Sequence, residues 1–205
     1  MNRGFVMPEN TERFRVAVIV GSVREGRFGT TVADWFAGQA RQRADVEVDV
    51  IDLAEVGLPL TFPAFGSAPA SETARALEKV TPRLAAADAF VVVTPEYNHS
   101  FPASLKNVID WHNAEWHAKP VGFVSYGGLS GGLRAVEHLR PVFAEVHAVT
   151  VRETVSFHQA WERFDAEGRP VDPAGCETAA KALLDQLLWW ARALREARAV
   201  RPYAA

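Results

Sequence analysis

Residues Val16–Trp35 read VAVIVGSVREGRFGTTVADW. An apolar run ends on Gly21, a polar turn carries Arg24 and Arg27 among glycines, and a helical pattern starts at Thr30. A buried strand opening into a helix through such a turn is one βα unit, and it sets the pattern to seek along the chain. The arginines raise a chemical question. A guanidinium is costly to bring near a protein interior unless an anion meets it, so the turn is expected to hold one.

The pattern repeats. Strands are predicted over Phe14–Val20, Val46–Leu53, Ala89–Thr94, Pro120–Tyr126 and Ala148–Phe157, and helices over Thr30–Gln42, Ser71–Ala86, Ala103–Trp116, Leu133–Val146 and Ala174–Arg198. A Pro/Gly/Ala-rich loop, Val56–Ala70, interrupts the second unit, and Pro141 predicts a kink or break in the fourth helix. The runs AVIV, FVVV and VGFV are continuously apolar rather than alternating, as in strands covered on both faces. Five such units predict an α/β doubly wound fold: a five-stranded parallel sheet with helices on both faces. The 205 residues suit one domain, with residues 1–12 expected to be a flexible N-terminus.

Composition narrows the function. A net charge of −3 argues against a nucleic-acid surface, and no apolar run approaches the length of a membrane span. One cysteine, Cys176, excludes an internal disulfide framework, and the N-terminal segment lacks a signal-peptide core, so a cytoplasmic protein is expected.

In such a sheet a ligand belongs at the carboxyl ends of the strands. Three loops lie there. In the first, the unpaired N–H groups and the dipole at a helix start, with Ser22, Thr30, Gly26, Gly29, Arg24 and Arg27, suit a phosphate monoester. The G-x-G-x-x-G spacing is absent, and Gly21 to Gly26 is followed by Arg27-Phe28 rather than Lys-Ser/Thr, which excludes a Walker A loop. The second loop, in PEYNHSFPASLKNVIDW, offers Pro95, Glu96, Tyr97 and Asn98; the third, in SYGGLSGG, offers uncovered backbone amides. A phosphate in one loop and a flat, polar-edged ring between the other two describe FMN in a flavodoxin-like fold.

These three motifs, in this order, resemble the NADPH-dependent FMN reductases, a family that includes quinone, azo-dye and chromate reductases; the resemblance covers Phe14 to Ala148. It implies that Ser22, Arg24, Phe28, Gly29 and Thr30 hold the FMN phosphate. Pro95, Glu96, Tyr97 and Asn98 would line the isoalloxazine and ribityl chain, and Ser125, Tyr126, Gly127 and Gly128 the pyrimidine edge. Many relatives have Ser where this chain has Arg27 and Asn where it has Gly29, which leaves Arg27 as either a phosphate ligand or a solvent-facing residue. It also implies a ping-pong exchange, in which NADPH or NADH gives hydride to bound FMN and a small acceptor (quinone, azo compound, flavin or metal oxyanion) collects the electrons. The chemistry is then the cofactor's, and no catalytic side chain is nominated. Family members are typically homodimers or homotetramers; the helix carrying Trp111 and Trp116 is the interface candidate, against core packing as the plainer role for these and for Trp189 and Trp190.

Three alternatives stand beside this reading. An FMN-bearing electron carrier or redox-sensing module without nicotinamide turnover shares every motif, although the modest charge speaks against it. The stretch Gly128–Gly132 matches the G-x-S-x-G elbow of a serine hydrolase around Ser130, yet only Glu153 and His158 follow as an acid–histidine pair. His112, Glu115 and His117 suggest a metal, but the histidines are five apart, about 140° around a helix. No metal is expected. His99 is a candidate for touching substrate.

Overall fold

The computed structural model describes residues 13–204; the expected flexible segment 1–12 lies outside them. Strand β1 (Phe14–Val20) leads to helix α1 (Gly29–Arg41), and β2 (Val46–Asp52) runs into a one-turn helix α2 (Leu53–Val56). Then come α3 (Ser71–Ala86), β3 (Ala89–Pro95), α4 (Ala103–Asp110), β4 (Pro120–Gly127), α5 (Leu133–Glu145), β5 (Val149–His158) and α6 (Pro173–Val200).

The strands form one parallel sheet ordered β2-β1-β3-β4-β5. β3 is buried along its whole length, and β1 and β4 nearly so, whereas the edge strands β2 and β5 are only partly covered. Continuous apolar runs therefore became the inner strands and mixed runs the edges. One core joins the sheet to α1 and α6 through Val32, Phe36, Leu183 and Leu187. The other joins it to α3, α4 and α5 through Val80, Leu84, Leu105, Leu139 and Phe143. A fully buried Phe or Leu contributes roughly 1.5–3 kcal/mol relative to exposure, so the two layers hold the loop ends firmly.

Three expectations change. The fourth helix runs through Pro141 without a break; Pro141 lies on its exposed face, where water can serve the freed carbonyl. The predicted helix Ala103–Trp116 stops at Asp110, and Ala114–Trp116 forms a separate 3₁₀ turn. The break lets Trp116 swing into the core against Phe90 and Phe143, at 4.7 and 5.5 Å between ring centres, while its indole N–H donates to the His112 carbonyl at 3.1 Å. Trp116 is fully buried, which removes it as an interface residue. Lastly, the one-turn α2 occupies the stretch between the strand predicted to end at Leu53 and the loop predicted to begin at Val56; Asp52 starts it by accepting from the Ala54 N–H at 3.0 Å.

Strand order reverses between β1 and β3, so a crevice opens where the loops after these two strands part.

Candidate functional site

The β1–α1 turn is built to receive an anion. No side chain caps α1, and its first turn holds no acid, so its leading N–H groups face the crevice unspent. Ser22 is 1 % exposed at its base. Among the described residues the Arg24 guanidinium has no protein partner. Arg27 instead lies half-buried, its guanidinium paired with Asp52 at the end of β2, and its buried Nε has no partner. It is therefore not solvent-facing. Phe28 packs its ring edge-on to Phe164, at 5.4 Å between ring centres.

The β3–α4 loop folds into a two-residue hairpin, with Tyr97 and Ser100 exchanging backbone bonds of 2.8 and 3.0 Å. Asn98 and His99 form its tip with φ of 48° and 75°. Asparagine tolerates this left-handed conformation well; a second such residue stores strain at the crevice mouth. The tip aims Tyr97 inward, its hydroxyl 2.7 Å from that of Ser22. Two of the predicted loops thus meet directly. His99 is exposed, its ring 5.9 Å from that of His138.

Glu96 does not face the crevice with its carboxylate. That group accepts from the Ser130 hydroxyl, from the Arg134 backbone N–H at 3.3 Å and from its guanidinium at 3.1 Å. Burial pushes the carboxyl up, but these donors outweigh it and hold the group below its ordinary range. Glu96 thereby caps α5 and ties the second loop to the third. Ser125 is fully buried beneath that loop, where its hydroxyl and that of Ser156 each donate to the Gly131 carbonyl at 2.8 Å. The loop can turn this tightly because Gly131 and Gly132 adopt φ of 60° and 85°; a β-carbon on Gly132 would lie 2.7 Å from that of Ser125. Gly127 and Gly128 are left as bare backbone at the rim. The rim gains a residue the sequence reading passed over: Trp161, 62 % exposed, follows β5 and stands against Gly128. An aromatic three residues past a strand end was the only sign of it.

The other chemistries find no geometry. Ser130 is bound to Glu96, and His158 holds the Leu129 carbonyl at 3.1 Å, so among the described residues no imidazole activates Ser130. His112 bridges Thr81 and the Val108 carbonyl, and His117 meets Asn113. Among the described residues no three His, Cys, Asp or Glu side chains converge as metal ligands.

An uncapped helix start, an unpaired arginine, a buried hydroxyl and an orphaned Nε together form a donor set for a phosphate monoester, beside a cleft with bare backbone on its far wall. These residues fit FMN. The strand order and the switch-point crevice define a flavodoxin-like protein. Residues 14–162 match the profile of the family described as NADPH-dependent FMN reductase, and the chain belongs to that family. FMN and NAD(P)H are the cofactor and donor that membership brings. Among its relatives, a probable NADPH:quinone oxidoreductase of Oryza sativa is 34 % identical over 78 % of this chain and 80 % of its own length. An NAD(P)H-dependent FMN reductase of Schizosaccharomyces pombe is 36 % identical over 58 % of this chain, and the aligned part spans 60 % of that protein's length. The solved structure of a flavoenzyme NAD(P)H:(acceptor) oxidoreductase from Paracoccus denitrificans superposes with a TM-score of 0.69 at 24 % identity, covering 87 % of this chain and 98 % of that one. That likeness is one of fold.

Proposed function

We propose that residues 1–205 act as one FMN-binding domain, an NAD(P)H-dependent reductase delivering electrons to a small acceptor such as a quinone. The observation that carries this reading is the uncapped start of α1 at the switch point, flanked by Arg24 and Ser22 and facing bare backbone across the cleft. When bound, FMN would supply the redox chemistry between NADPH or NADH and a small second substrate. The protein's part is placement. Arg24, Ser22 and the N–H groups of Gly29 and Thr30 hold the phosphate, with Arg27 Nε beside them while Asp52 pins its Nη2. Pro95, Tyr97 and Asn98 wall one side of the cleft. The Gly127–Gly128 backbone meets the polar edge of the ring and favours negative charge there. Glu96 and Ser125 act through the loops they fix. Quinones enter as the acceptor class because the Oryza relative is named for them.

The protein is further proposed to work in the cytoplasm as a homodimer or homotetramer. Among the described residues no helix is long and apolar enough to cross a membrane. The interface candidate narrows to Trp111, which stacks on the 45 % exposed Phe62 at 4.4 Å; the segment that carries Phe62 also exposes Leu60 and Phe65. Light scattering should return at least a dimer mass, and a monomer at micromolar concentration would end that part. For the activity, heat-released cofactor should be FMN, and the protein should oxidise NADPH steadily when a quinone is supplied. A protein that binds FMN but turns over neither NADPH nor NADH is an electron carrier, and the reductase reading fails.

A further inference from the structure

We propose that the Tyr126 hydroxyl is a ligand of the cofactor phosphate, reaching the β1–α1 turn from β4, and that Gly29 is glycine to leave it room. This rests on the FMN reading above. It moves Tyr126 from the pyrimidine edge, where the sequence suggested it, to the opposite end of the cofactor.

Tyr126, the last residue but one of β4, lies on the face covered by α1 and α6, its ring 6.2 Å from that of Phe28. Its side chain is directed under the first turn of α1. A β-carbon on Gly29 would lie 2.5 Å from the Tyr126 hydroxyl oxygen, 3.4 Å from the ring carbon bearing it and 3.6 Å from the Ser22 β-carbon. The Ser22 hydroxyl in turn lies 2.7 Å from that of Tyr97. Hydroxyls from the loops after β1 and β3 and from β4 itself therefore converge beneath the uncapped start of one helix, although β3 separates the other two strands in the sheet.

Core packing does not account for this. Phenylalanine would fill the same volume at position 126, and a hydroxyl is costly to bury unless a partner rewards it. Three hydroxyls carry three protons, and the contacts of Ser22 with Tyr97 and with Tyr126 use two. One proton is left for an acceptor in the turn, and a phosphate dianion, a stronger acceptor than a hydroxyl, draws that of Tyr126 to itself. Only a neutral phenol can donate, and burial keeps this one neutral: it pushes the group far above its ordinary range, with Tyr97 adding to the effect and Ser22 and Arg27 opposing it.

The test is Tyr126→Phe, titrated with FMN and with riboflavin by flavin fluorescence. Losing one hydrogen bond to a charged group should weaken FMN binding by roughly tenfold or more, with riboflavin, which lacks the phosphate, nearly unchanged. A merely structural hydroxyl would weaken both alike, and that result, or an unchanged FMN affinity, overturns the proposal. Thermal unfolding of the cofactor-free protein tests the geometry separately. Gly29→Ala should lower the melting temperature by several degrees in the native background and by much less alongside Tyr126→Phe, where the colliding oxygen is gone. Equal losses in both backgrounds overturn the placement of the hydroxyl. If the unaltered protein binds FMN no better than riboflavin, the phosphate-site reading itself has failed. If it prefers FMN and Tyr126→Phe keeps that preference, only this proposal has.

Discussion

Arg24 leaves its guanidinium to the crevice while Arg27 is tied to Asp52, so truncating each should produce a different signature. Hydrogen bonds involving a charged partner contribute about 1.5–3 kcal/mol, with roughly 1.4 kcal/mol per tenfold. Arg24→Ala should therefore weaken FMN by about one to two powers of ten and riboflavin far less. Arg27→Ala should cost FMN less, because Asp52 already offsets its charge, and should lower the melting temperature by freeing the Asp52 carboxylate. Flavin titration with a thermal scan separates the two. Glu96 predicts a pH signature. Its folded-state pKa lies below the unfolded value, so its contribution is present above about pH 4.3 and fades as pH falls through the depressed value. In acid unfolding curves the gap between native protein and Glu96→Gln should be widest near neutrality and close at low pH; a gap that widens on acidification would refute the role. Arg24 and Ser22 were legible in the sequence because the turn that uses them is contiguous. The work of Glu96 was not, since its partners lie 34 and 38 positions away, and residue type cannot say which way a carboxylate turns.

Helix α3 shows an element held at its end by a distant group. Lys119, 7 % exposed, donates from Nζ to the last carbonyls of α3, Leu84 at 3.0 Å and Ala85 at 2.8 Å. Burial, with Arg198 adding, lowers its pKa to about 8. The unfolded chain thus binds more protons between about pH 8 and the ordinary lysine value near 10.4, and stability gains from this group across that window as pH rises. In Lys119→Met that gain should vanish from the pH profile of denaturant midpoints; an unchanged profile would contradict the burial described. At this scale the sequence was a good guide where periodicity dominates: α3 and the three inner strands lie within a residue of their predicted bounds. It misled where tertiary packing overrides propensity. The pattern through Ala103–Trp116 is helical, but burying Trp116 between Phe90 and Phe143 wins over extending the helix past Asp110. The one-turn α2 depends on the Asp52 cap, too local a signal to read beforehand.

The whole molecule brings three sequence-distant loops to one crevice because strand order reverses beside β1. Alternating apolar and helical runs made the doubly wound class readable, and the carboxyl-end rule then chose the loops. What it did not give is depth within the crevice: Ser125 lies sealed beneath the third loop, and Trp161 enters the rim from beyond the last strand. The central claim concerns the assembled site, that it carries electrons from a nicotinamide through FMN to another molecule. It is tested most directly by following the visible flavin band of FMN-loaded protein without oxygen, adding first NADPH or NADH and then a quinone. The band should bleach with the nicotinamide and return in full with the quinone. A band that stays oxidised with both nicotinamides, or that bleaches and does not return with any quinone offered, would contradict the account.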